Sequence, residues 1–576
     1  MIEQRAAALL RAALEAAAPE LGLEESLPEI ELERPRQKGF GDLSTSVALG
    51  LAKRAGRPPR EVAEAIVGHL PESDLIVGAE VAGPGFINLR VNDAWLQDVL
   101  RNVVARGDAY GSAERNAEQE LEQELERNNE RTQIEYVSAN PTGPLHVGHA
   151  RNAVIGDALG RILEAAGATV EREYYFNDAG RQMELFAASV DARFLELNGR
   201  EAALPEEGYA GEYITDVARE ISESDGPRLL GLPDDERLAE IRALATERMF
   251  AMIRHTLERL RARIDSYFSE RTLHDRGEID LAVARLRERD VAYDADGAVF
   301  FRATEFGDDK DRVLIRSNGE PTYFAADAAY LVDKFERGFA HLLYVWGADH
   351  HGDVKRVKGA AQALGYDPDA VEIVLYQFVA LSRGGERTKM SKRAGDIVTL
   401  DELLDEVGPD AVRFTLLSHS SDSAINFDIE AVKRKSMDNP VFYVQYGHAR
   451  IASILRTAAE RGVELRPIEE ADLSLLREEA ELDLLREIAE MDGQVRAAAT
   501  LRAPSRLARY SERLAAAFHR FYTECRVVSD NEALTQARLW LSVAAKQTIA
   551  NVLGLLGVSA PEEMRRDDAD PVSSDG

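Results

Sequence analysis

Cysteine is almost absent from this 576-residue sequence, which contains only Cys525. A disulfide framework needs pairs of cysteines and a multi-cysteine zinc site needs several, so the sequence excludes both. Because Cys525 lies among Phe521, Tyr522 and Val527, we predict that it is a core residue. A cytoplasmic location is the default expectation for such a chain.

Long apolar runs are missing too. No stretch approaches the length of about 20 apolar residues that a membrane-spanning helix needs. The segment MIEQRAAALLRAALEAAAPE (1–20) combines helical spacing with acidic side chains, which is typical of neither a signal nor a transit peptide. We therefore expect no membrane partner.

Basic residues are scarce relative to acidic ones: 70 Lys and Arg face 102 Asp and Glu, which gives a formal net charge of −32. Phosphate binding normally draws on clustered Lys and Arg, so composition alone argues against a nucleic-acid partner. The composition also resembles that of proteins from halophilic archaea. At about 1 M salt the Debye length is ~3 Å, and RNA binding would then rely on shape, stacking and short hydrogen bonds. Composition therefore leaves two alternatives: a protein that binds no nucleic acid, and one that binds RNA in concentrated salt.

Two histidines, His146 and His149, lie in the segment SANPTGPLHVGHARNAVIGDALGRIL (138–163). QIEYV (133–137) before it has the pattern of a strand, and the residues after the histidines have the spacing of an amphipathic helix. A helix N-terminus favours anions, and two imidazoles there can donate hydrogen bonds to phosphate oxygens. Gly148 leaves room for a flat base close to the backbone. The alternative is an ordinary helix start with two surface histidines.

A second segment, RTKMSKRAG (387–395), carries two lysines, Lys389 and Lys392. A glycine-bounded loop with two ammonium groups suits transient binding of a polyphosphate. Taken alone, this segment is equally typical of a basic surface loop.

Together, in this order, the two segments resemble the HIGH and KMSK signatures of class I aminoacyl-tRNA synthetases. The longer context SANPTGPLHVGHARNAVIGDA is similar to the arginyl-tRNA synthetase family in particular. The resemblance implies ATP with Mg²⁺ as a substrate complex, L-arginine and arginine tRNA as the other partners, and no tightly bound cofactor. It implies catalytic roles for His146, His149, Lys389 and Lys392. It also implies ATP contacts for Pro141, Gly143, His146, Gly148, His149, Asp349, His350, Met390 and Ser391.

Arginine recognition needs carboxylates for the guanidinium group and a planar partner. Acidic and polar residues at predicted strand or helix ends are therefore candidates, although any one of them is equally typical of an acidic surface. The set, which includes positions that match arginine-binding residues of the family, is Glu135, Ser138, Asn140, Glu270, Tyr323 and Asp327.

One departure from the family pattern concerns Gly143. Many arginyl enzymes carry a lysine three residues before the first histidine and lack the second lysine of KMSK. Here the first position is Gly143 and Lys392 is present. We therefore expect the lysine loop to supply the second ammonium group.

The predicted fold class is α/β, with a Rossmann-like, parallel-sheet catalytic domain over residues 132–400. A helical insertion is expected at about 185–262, and an acidic linker at 111–131 precedes the domain. Residues 1–110 resemble the small α/β N-terminal domain that touches the tRNA elbow in this family. Its candidate tRNA contacts are Phe86 and Asn88, which are equally well explained as a core residue and a turn cap.

From residue 400 onward we expect helices only: an all-α anticodon-binding bundle over 401–564, then a disordered tail at 565–576. DAVR (410–413) differs by one residue from the DALR sequence that names this domain. Tyr443 and Tyr446 are candidates for stacking on unpaired tRNA bases, with bundle core as the alternative. For Phe442 we favour the core.

Three other functions fit parts of the pattern. A glutamyl- or lysyl-type class I synthetase is the nearest alternative, and a nucleotidylyltransferase also uses paired histidines and ATP. An RNA-binding protein with a relic site would not need intact histidines and lysines. His350 and His351 invite a metal hypothesis, but no third ligand is evident, so no metal site is predicted; a monomer is expected.

Overall fold

The computed structural model describes residues 2–23, 27–33, 35, 41–92, 94–113, 131–178, 180–387 and 398–564. The chain divides into two compact units. The first comprises 1–106, 465–489 and 524–544, and the second comprises 107–464, 490–523 and 545–576. Among the described residues, no helix is both long and apolar enough to cross a membrane.

The first unit contains a three-stranded antiparallel sheet with helices packed against it. Strand order is β1-β3-β2, and the apolar side chains of the strands join those of the helices in one core. The elements are α1 (Ile2–Ala17), β1 (Leu43–Thr45), α2 (Val47–Ala55), α3 (Pro59–Gly68), β2 (Ile76–Ala82), β3 (Phe86–Val91) and α4 (Ala94–Arg106). This arrangement confirms the predicted small α/β module.

The second unit is built on a five-stranded parallel sheet with the order β11-β10-β4-β5-β6. Its strands are β4 (Arg131–Glu135), β5 (Thr169–Phe176), β6 (Ser266–Ser269), β10 (His341–Gly347) and β11 (Val371–Tyr376). Helix α5 (Val147–Ala165) connects β4 to its parallel neighbour β5. The predicted parallel α/β sheet is thus confirmed.

Two glycines let α5 approach the sheet closely. A Cβ atom on Gly156 would lie 2.2 Å from the Tyr136 ring, and one on Gly160 would lie 2.6 Å from the Arg172 guanidinium group. Because these positions are four residues apart, they form one smooth stripe along the helix. The start of α5 is therefore held directly beside the carboxyl end of β4.

At strand β4 the order in which strands are added to the sheet reverses. The chain proceeds from β4 to β5 and β6 on one side, and later adds β10 and β11 on the other. Connections on opposite sides leave a crevice at the carboxyl ends of the two central strands, which is where α/β sheets bind ligands.

Further elements of the second unit lie between these strands in the chain. Three helices separate β5 from β6, and a three-stranded antiparallel sheet precedes α11. The elements are α6 (Arg181–Leu197), α7 (Glu212–Leu230), α8 (Asp234–Arg259), α9 (Glu270–Asp275), α10 (Glu278–Glu288), β7 (Ala292–Ala295), β8 (Ala298–Phe301), β9 (Arg312–Ile315), α11 (Tyr323–Glu336) and α12 (Val354–Leu364).

A small sheet of order β13-β12-β14 follows, made of β12 (Val379–Arg383), β13 (Glu386–Arg387) and β14 (Ile425–Asp428). The expectation of helices alone after residue 400 is wrong at β14, which pairs in parallel with β12. Ile425 and Phe427 alternate with exposed or half-buried residues, but four residues are too few to reveal a two-residue period.

The other described elements after residue 400 are helices, as predicted, and the tail expected at 565–576 lies outside the described residues. Its helices are α13 (Leu400–Val407), α14 (Pro409–Leu417), α15 (Ile429–Lys433), α16 (Pro440–Glu460), α17 (Glu479–Ala489), α18 (Met491–Thr500), α19 (Ser505–Glu524) and α20 (Glu532–Leu555). Cys525 is buried, which confirms its assignment to the core.

Candidate active site

A cavity of about 870 Å³ opens at the carboxyl ends of β4 and β10, the two strands between which the strand order reverses. Four segments contribute most of its wall: the turn after β4, the start of α5, one face of α11 and the loop after β10. The predicted site residues that line it are Glu135, Ser138, His146, Gly148, His149, Tyr323, Asp327, Asp349 and His350.

Both histidines cap α5. The His146 Nδ1 atom accepts from the Gly148 N–H at 3.0 Å, and the His149 Nδ1 atom accepts from the His146 N–H at 3.2 Å. An Nδ1 atom that accepts a hydrogen bond carries no proton, so in the neutral rings the proton is on Nε2. Both imidazoles are therefore fixed as Nε2–H donors at a helix N-terminus, an arrangement suited to an anion.

Gly148 is required by the packing of the His146 ring. A Cβ atom at this position would lie 2.7 Å from His146 Cε1 and 2.9 Å from Nδ1. The two imidazole rings pack with their centroids 3.8 Å apart. A side chain at residue 148 would displace the first ring from the second.

Two carboxylates, Glu135 and Glu173, lie side by side because β4 and β5 pair with these residues in register. Arg337 binds both oxygens of Glu173 at 2.7 and 2.9 Å. Burial alone would raise the pKa of Glu173, but Arg337 and Lys334 outweigh it and hold that pKa below its ordinary value. Glu173 is therefore a buried, ionised group beneath the cavity.

Glu135 is paired from below by Lys334, whose Nζ atom lies 2.6 Å from Glu135 Oε2. The ammonium group also lies 4.1 Å from the centre of the Tyr330 ring and 4.0 Å from that of Tyr344. Burial lowers the pKa of Lys334, and the charges of Glu135 and Glu173 partly restore it. A cation is thus built into the floor of the acidic pocket.

Tyr323 and Asp327 begin α11 and both face the cavity. The Asp327 side chain is exposed to the cavity, and the cavity walls lie around it. Burial, together with the negative charges of Glu135 and Glu270, raises the pKa of Asp327 to about 7. A bound guanidinium group would reverse this effect, because an adjacent positive charge favours the ionised carboxylate.

Glu270, Asn140, Pro141 and Gly143 are placed differently from the other candidates, outside the cavity lining. Glu270 accepts from the Tyr175 hydroxyl at 2.5 Å and from the Asn177 amide at 2.9 Å, and burial raises its pKa. The Asn140 side chain donates to Gln182 at 2.8 Å. A Cβ atom on Gly143 would lie 3.2 Å from the Tyr213 hydroxyl.

Asp349 and His350 form the exposed end of the cavity. His350 Nδ1 lies 3.1 Å from Asp353 Oδ2, and its ring centre lies 6.0 Å from that of Trp346. Within the described part of the chain, no group of three or more His, Cys, Asp or Glu side chains could hold a metal ion.

Lys389, Met390, Ser391 and Lys392 lie outside the described residues. The residues on either side of this segment are anchored. The N–H groups of Gly384 and Gly385 donate to the Asp428 carboxylate at 3.2 and 2.8 Å. On the other side, the Leu400 N–H donates to the Leu145 carbonyl at 2.8 Å, directly before the first histidine.

The candidate tRNA contacts differ in exposure. In the first unit, Phe86 is 39% exposed, whereas Asn88 is 7% exposed and its Oδ1 atom accepts from Ser44 at 2.8 Å. A structural role is therefore favoured for Asn88, and a core role for Phe86 is wrong. In the second unit, Phe442 is buried as predicted. Tyr443 and Tyr446 are half-buried, with ring centres 4.8 and 6.1 Å from that of His519.

Several residues of the site escaped prediction from sequence. They are Asn152, Glu173, Tyr330, Lys334, Arg337 and Tyr344. All of them act through contacts between strands and helices far apart in the chain. The sequence gives one signal for Lys334: it follows Asp333 in the same predicted helix that carries Asp327.

Comparison with known proteins gives this architecture a class. Residues 115–416 match the family described as "tRNA synthetases class I (R), catalytic domain". Residues 4–91 match the "Arginyl tRNA synthetase N terminal domain", and residues 444–564 match the "DALR anticodon binding domain". The cavity and its capping histidines thus belong to a class I aminoacyl-tRNA synthetase catalytic domain.

Full-length similarity narrows the class to one family. The chain is 47% identical to the arginine–tRNA ligase of Moorella thermoacetica over 561 residues, which cover 97% of this chain and 98% of that one. It is 45% identical to the same ligase of Halorhodospira halophila over 595 aligned positions, covering 98% and 100%. This chain belongs to the arginyl-tRNA synthetase family. Membership does not favour the glutamyl- or lysyl-type alternative.

The fold agrees with a solved structure of the family. The arginyl-tRNA synthetase of Thermus thermophilus superposes with a TM-score of 0.75 over 98% of this chain and 100% of its own, at 24% sequence identity. At that identity the likeness concerns the fold.

Proposed function

We propose that this chain ligates L-arginine to its tRNA with ATP, through an arginyl-adenylate, and releases AMP and diphosphate. The observation that carries the proposal is one cavity lined both by two histidines that cap a helix N-terminus and by an acidic pocket. The first half suits the phosphates of ATP, and the second suits a guanidinium group.

In the first step, a carboxylate oxygen of arginine attacks the α-phosphorus of ATP. The bond from that phosphorus to the bridging oxygen breaks, and diphosphate leaves with the electron pair. Such a step needs positioning and charge neutralisation more than covalent catalysis. We assign these roles to His146, His149 and the start of α5, together with Lys389 and Lys392. ATP enters as its Mg²⁺ complex.

The remaining ATP contacts follow the wall of the cavity. We assign Gly148 to the adenine, because it lines the cavity and carries no side chain, and we assign Asp349 and His350, which line the exposed end of the cavity, to the ribose hydroxyls. We keep Pro141, Gly143, Met390 and Ser391 as candidates on the family resemblance.

Arginine would bind on the acidic side of the cavity. Asp327 and Glu135 supply negative charge toward the guanidinium group, and the exposed Tyr323 ring supplies a planar neighbour. Ser138, hydrogen-bonded to Glu135 at 3.1 Å, is placed to act with it. We assign Glu270 and Asn140 to supporting this wall, since both hydrogen-bond to Asn177.

In the second step, a ribose hydroxyl of the terminal tRNA adenosine attacks the arginyl carbonyl, and AMP leaves. Class I membership implies the 2′-hydroxyl. Tyr443 and Tyr446 are proposed for stacking on anticodon bases, and the exposed Phe86 for the tRNA elbow. We also propose the domain boundaries given above, a monomeric state and a cytoplasmic location, on the strength of family membership.

The deciding experiment is aminoacylation of total tRNA with each standard amino acid in turn, at low and at high salt. Charging by arginine alone, dependent on ATP and tRNA, is the expected result. Asp327→Asn serves as the matched variant, since it is nearly isosteric and removes only the charge. Charging by lysine or glutamate instead of arginine would overturn the assignment.

A further inference from the structure

The turn between β4 and the histidines has an unusual backbone. Val137 has φ of 67° and Ser138 has φ of 44°, both in the left-handed region. Val137 is branched at Cβ, so this conformation is strained and persists only where the surroundings impose it. Both residues line the cavity.

Asn152 is the group that holds this turn. Its Oδ1 atom accepts from the Val137 N–H at 2.6 Å, and its Nδ2 atom donates to the Val345 carbonyl at 2.7 Å. The side chain is 7% exposed. One amide from α5 therefore joins the carboxyl ends of β4 and β10, the two strands between which the cavity opens.

This turn also holds the Glu135 carboxylate in the wall of the cavity. The Ser138 hydroxyl donates to Glu135 Oε1 at 3.1 Å and accepts from the Tyr175 N–H at 3.2 Å. The other oxygen of Glu135 is bound by Lys334. A change in the Val137–Ser138 backbone would therefore move the Glu135 carboxylate oxygen that the Ser138 hydroxyl holds.

We propose that Asn152 is a positioning residue for arginine, which acts by keeping Val137 and Ser138 in the left-handed conformation. The identity of the substrate rests on the function proposed above; the role of Asn152 rests on its hydrogen bonds. The proposal separates the two substrates. Asn152 should matter for arginine far more than for ATP, because its chain of contacts leads to Glu135 and not to the Nε2 atoms of the histidines.

The first test compares Asn152→Ala and Asn152→Asp by arginine affinity in calorimetry and by KM for arginine and ATP in aminoacylation. Removing the amide should raise Kd and KM for arginine by about tenfold or more, a scale expected when a binding group is displaced, with KM for ATP changed less than about threefold. Asn152→Asp keeps an acceptor for the Val137 N–H and should show the smaller increase. Equal rises in both KM values would overturn the proposal.

The second test uses Val137→Gly, because glycine adopts positive φ at no steric cost. If Asn152 acts by imposing this conformation, Val137→Gly should lower the arginine KM of Asn152→Ala by about threefold or more, a non-additive effect expected of coupled neighbours. If Asn152 only packs the helix against the sheet, the two changes will add, which would overturn the proposal. Should Asn152→Ala not fold, Asn152→Ser with and without Val137→Gly decides by the same criterion.

A matched control is Asn439→Ala. Asn439 is also buried and its Nδ2 atom donates to the Val432 and Arg434 carbonyls, but it lies outside the cavity. It should lower the melting temperature without altering KM for arginine. Wild-type charging of tRNA is measured first. If the wild type does not charge tRNA with arginine, the proposed function is wrong. If the wild type does so and Asn152→Ala has unchanged kinetics, only the role proposed for Asn152 is wrong.

Discussion

Lys334 and Glu135 form a buried ion pair, Nζ to Oε2 at 2.6 Å, with no exposure of the lysine side chain. Lys334→Met should leave the buried Glu135 carboxylate without its main counter-charge. Breaking a buried pair from one side costs about 3–5 kcal/mol, so we expect a loss of that order in the free energy of unfolding. Denaturant titration measures it.

Lys358→Met is the control for this prediction, since Lys358 is partly exposed and its nearest carboxylate, Asp369, is 3.9 Å away. A surface pair of this kind contributes about 0–1 kcal/mol. Equal destabilisation by the two changes would contradict the role assigned to Lys334.

Asp327 predicts a pH dependence of arginine binding. Because the pKa of Asp327 is about 7 in the free protein, the carboxyl is protonated at lower pH and must lose its proton when arginine binds, which weakens binding. We expect KM for arginine to rise as pH falls through 7, by at most about tenfold per pH unit. Calorimetric Kd values between about pH 6 and about pH 8 measure this. Asp327→Asn should bind arginine weakly and lose the pH dependence; a retained slope would assign the titration to another group.

The same carboxyl should affect stability with the opposite sign. A carboxyl whose pKa is raised by folding holds its proton more tightly in the native state, so stability contributed below the unfolded pKa of about 3.9 is lost as pH rises toward 7. Without arginine, Asp327→Asn should therefore melt at a higher temperature than wild type at about pH 8. A lower melting temperature for Asp327→Asn at that pH would contradict the raised pKa.

Arg413, the last residue of DAVR, is fully buried and ion-paired to Asp157 on α5 at 2.5 Å. It also donates to the carbonyls of Leu260, Arg261 and Leu556. Arg413→Met should cost about 3 kcal/mol or more in unfolding free energy, because it leaves Asp157 and three carbonyls without this donor. The exposed pair Arg219–Asp216 is the control, and Arg219→Met should change stability by less than about 1 kcal/mol.

Lys392→Ala tests the lysine loop. We expect arginine-dependent pyrophosphate exchange, measured with tRNA present, to fall by ~10² or more, a scale typical of losing one charge stabiliser. Lys53→Ala, a change in the first unit, should leave exchange unaltered. Exchange by Lys392→Ala within about threefold of wild type would remove Lys392 from the mechanism.

The sequence predicts those parts of the site that depend on local chemistry. The histidines must lie where a strand turns into a helix, because glycine and proline bar a helix before them, and the structure begins α5 at Val147. Tyr323 and Asp327 share a helix face through their spacing alone. The halophile interpretation of the acidic composition and the oligomeric state stay predictions.

Contacts set by strand register escape such reasoning. Glu135 and Glu173 become neighbours only once β4 pairs with β5, and Lys334 reaches Glu135 from nearly 200 positions away. Nothing near Asn152 announces that its amide joins two strand ends. The left-handed Val137 is likewise hidden, because its conformation is imposed by tertiary contacts against its own preference.

The anchors around the lysine segment constrain its length. The N–H groups of Gly384 and Gly385 are tied to Asp428, and Leu400 is tied to Leu145 beside the first histidine. The number of residues between the two anchors sets the greatest distance that this part of the chain can reach from them. An inserted residue would lengthen the chain between the anchors, whereas a substitution would not. We therefore expect related chains to vary more in the identity of these residues than in their number.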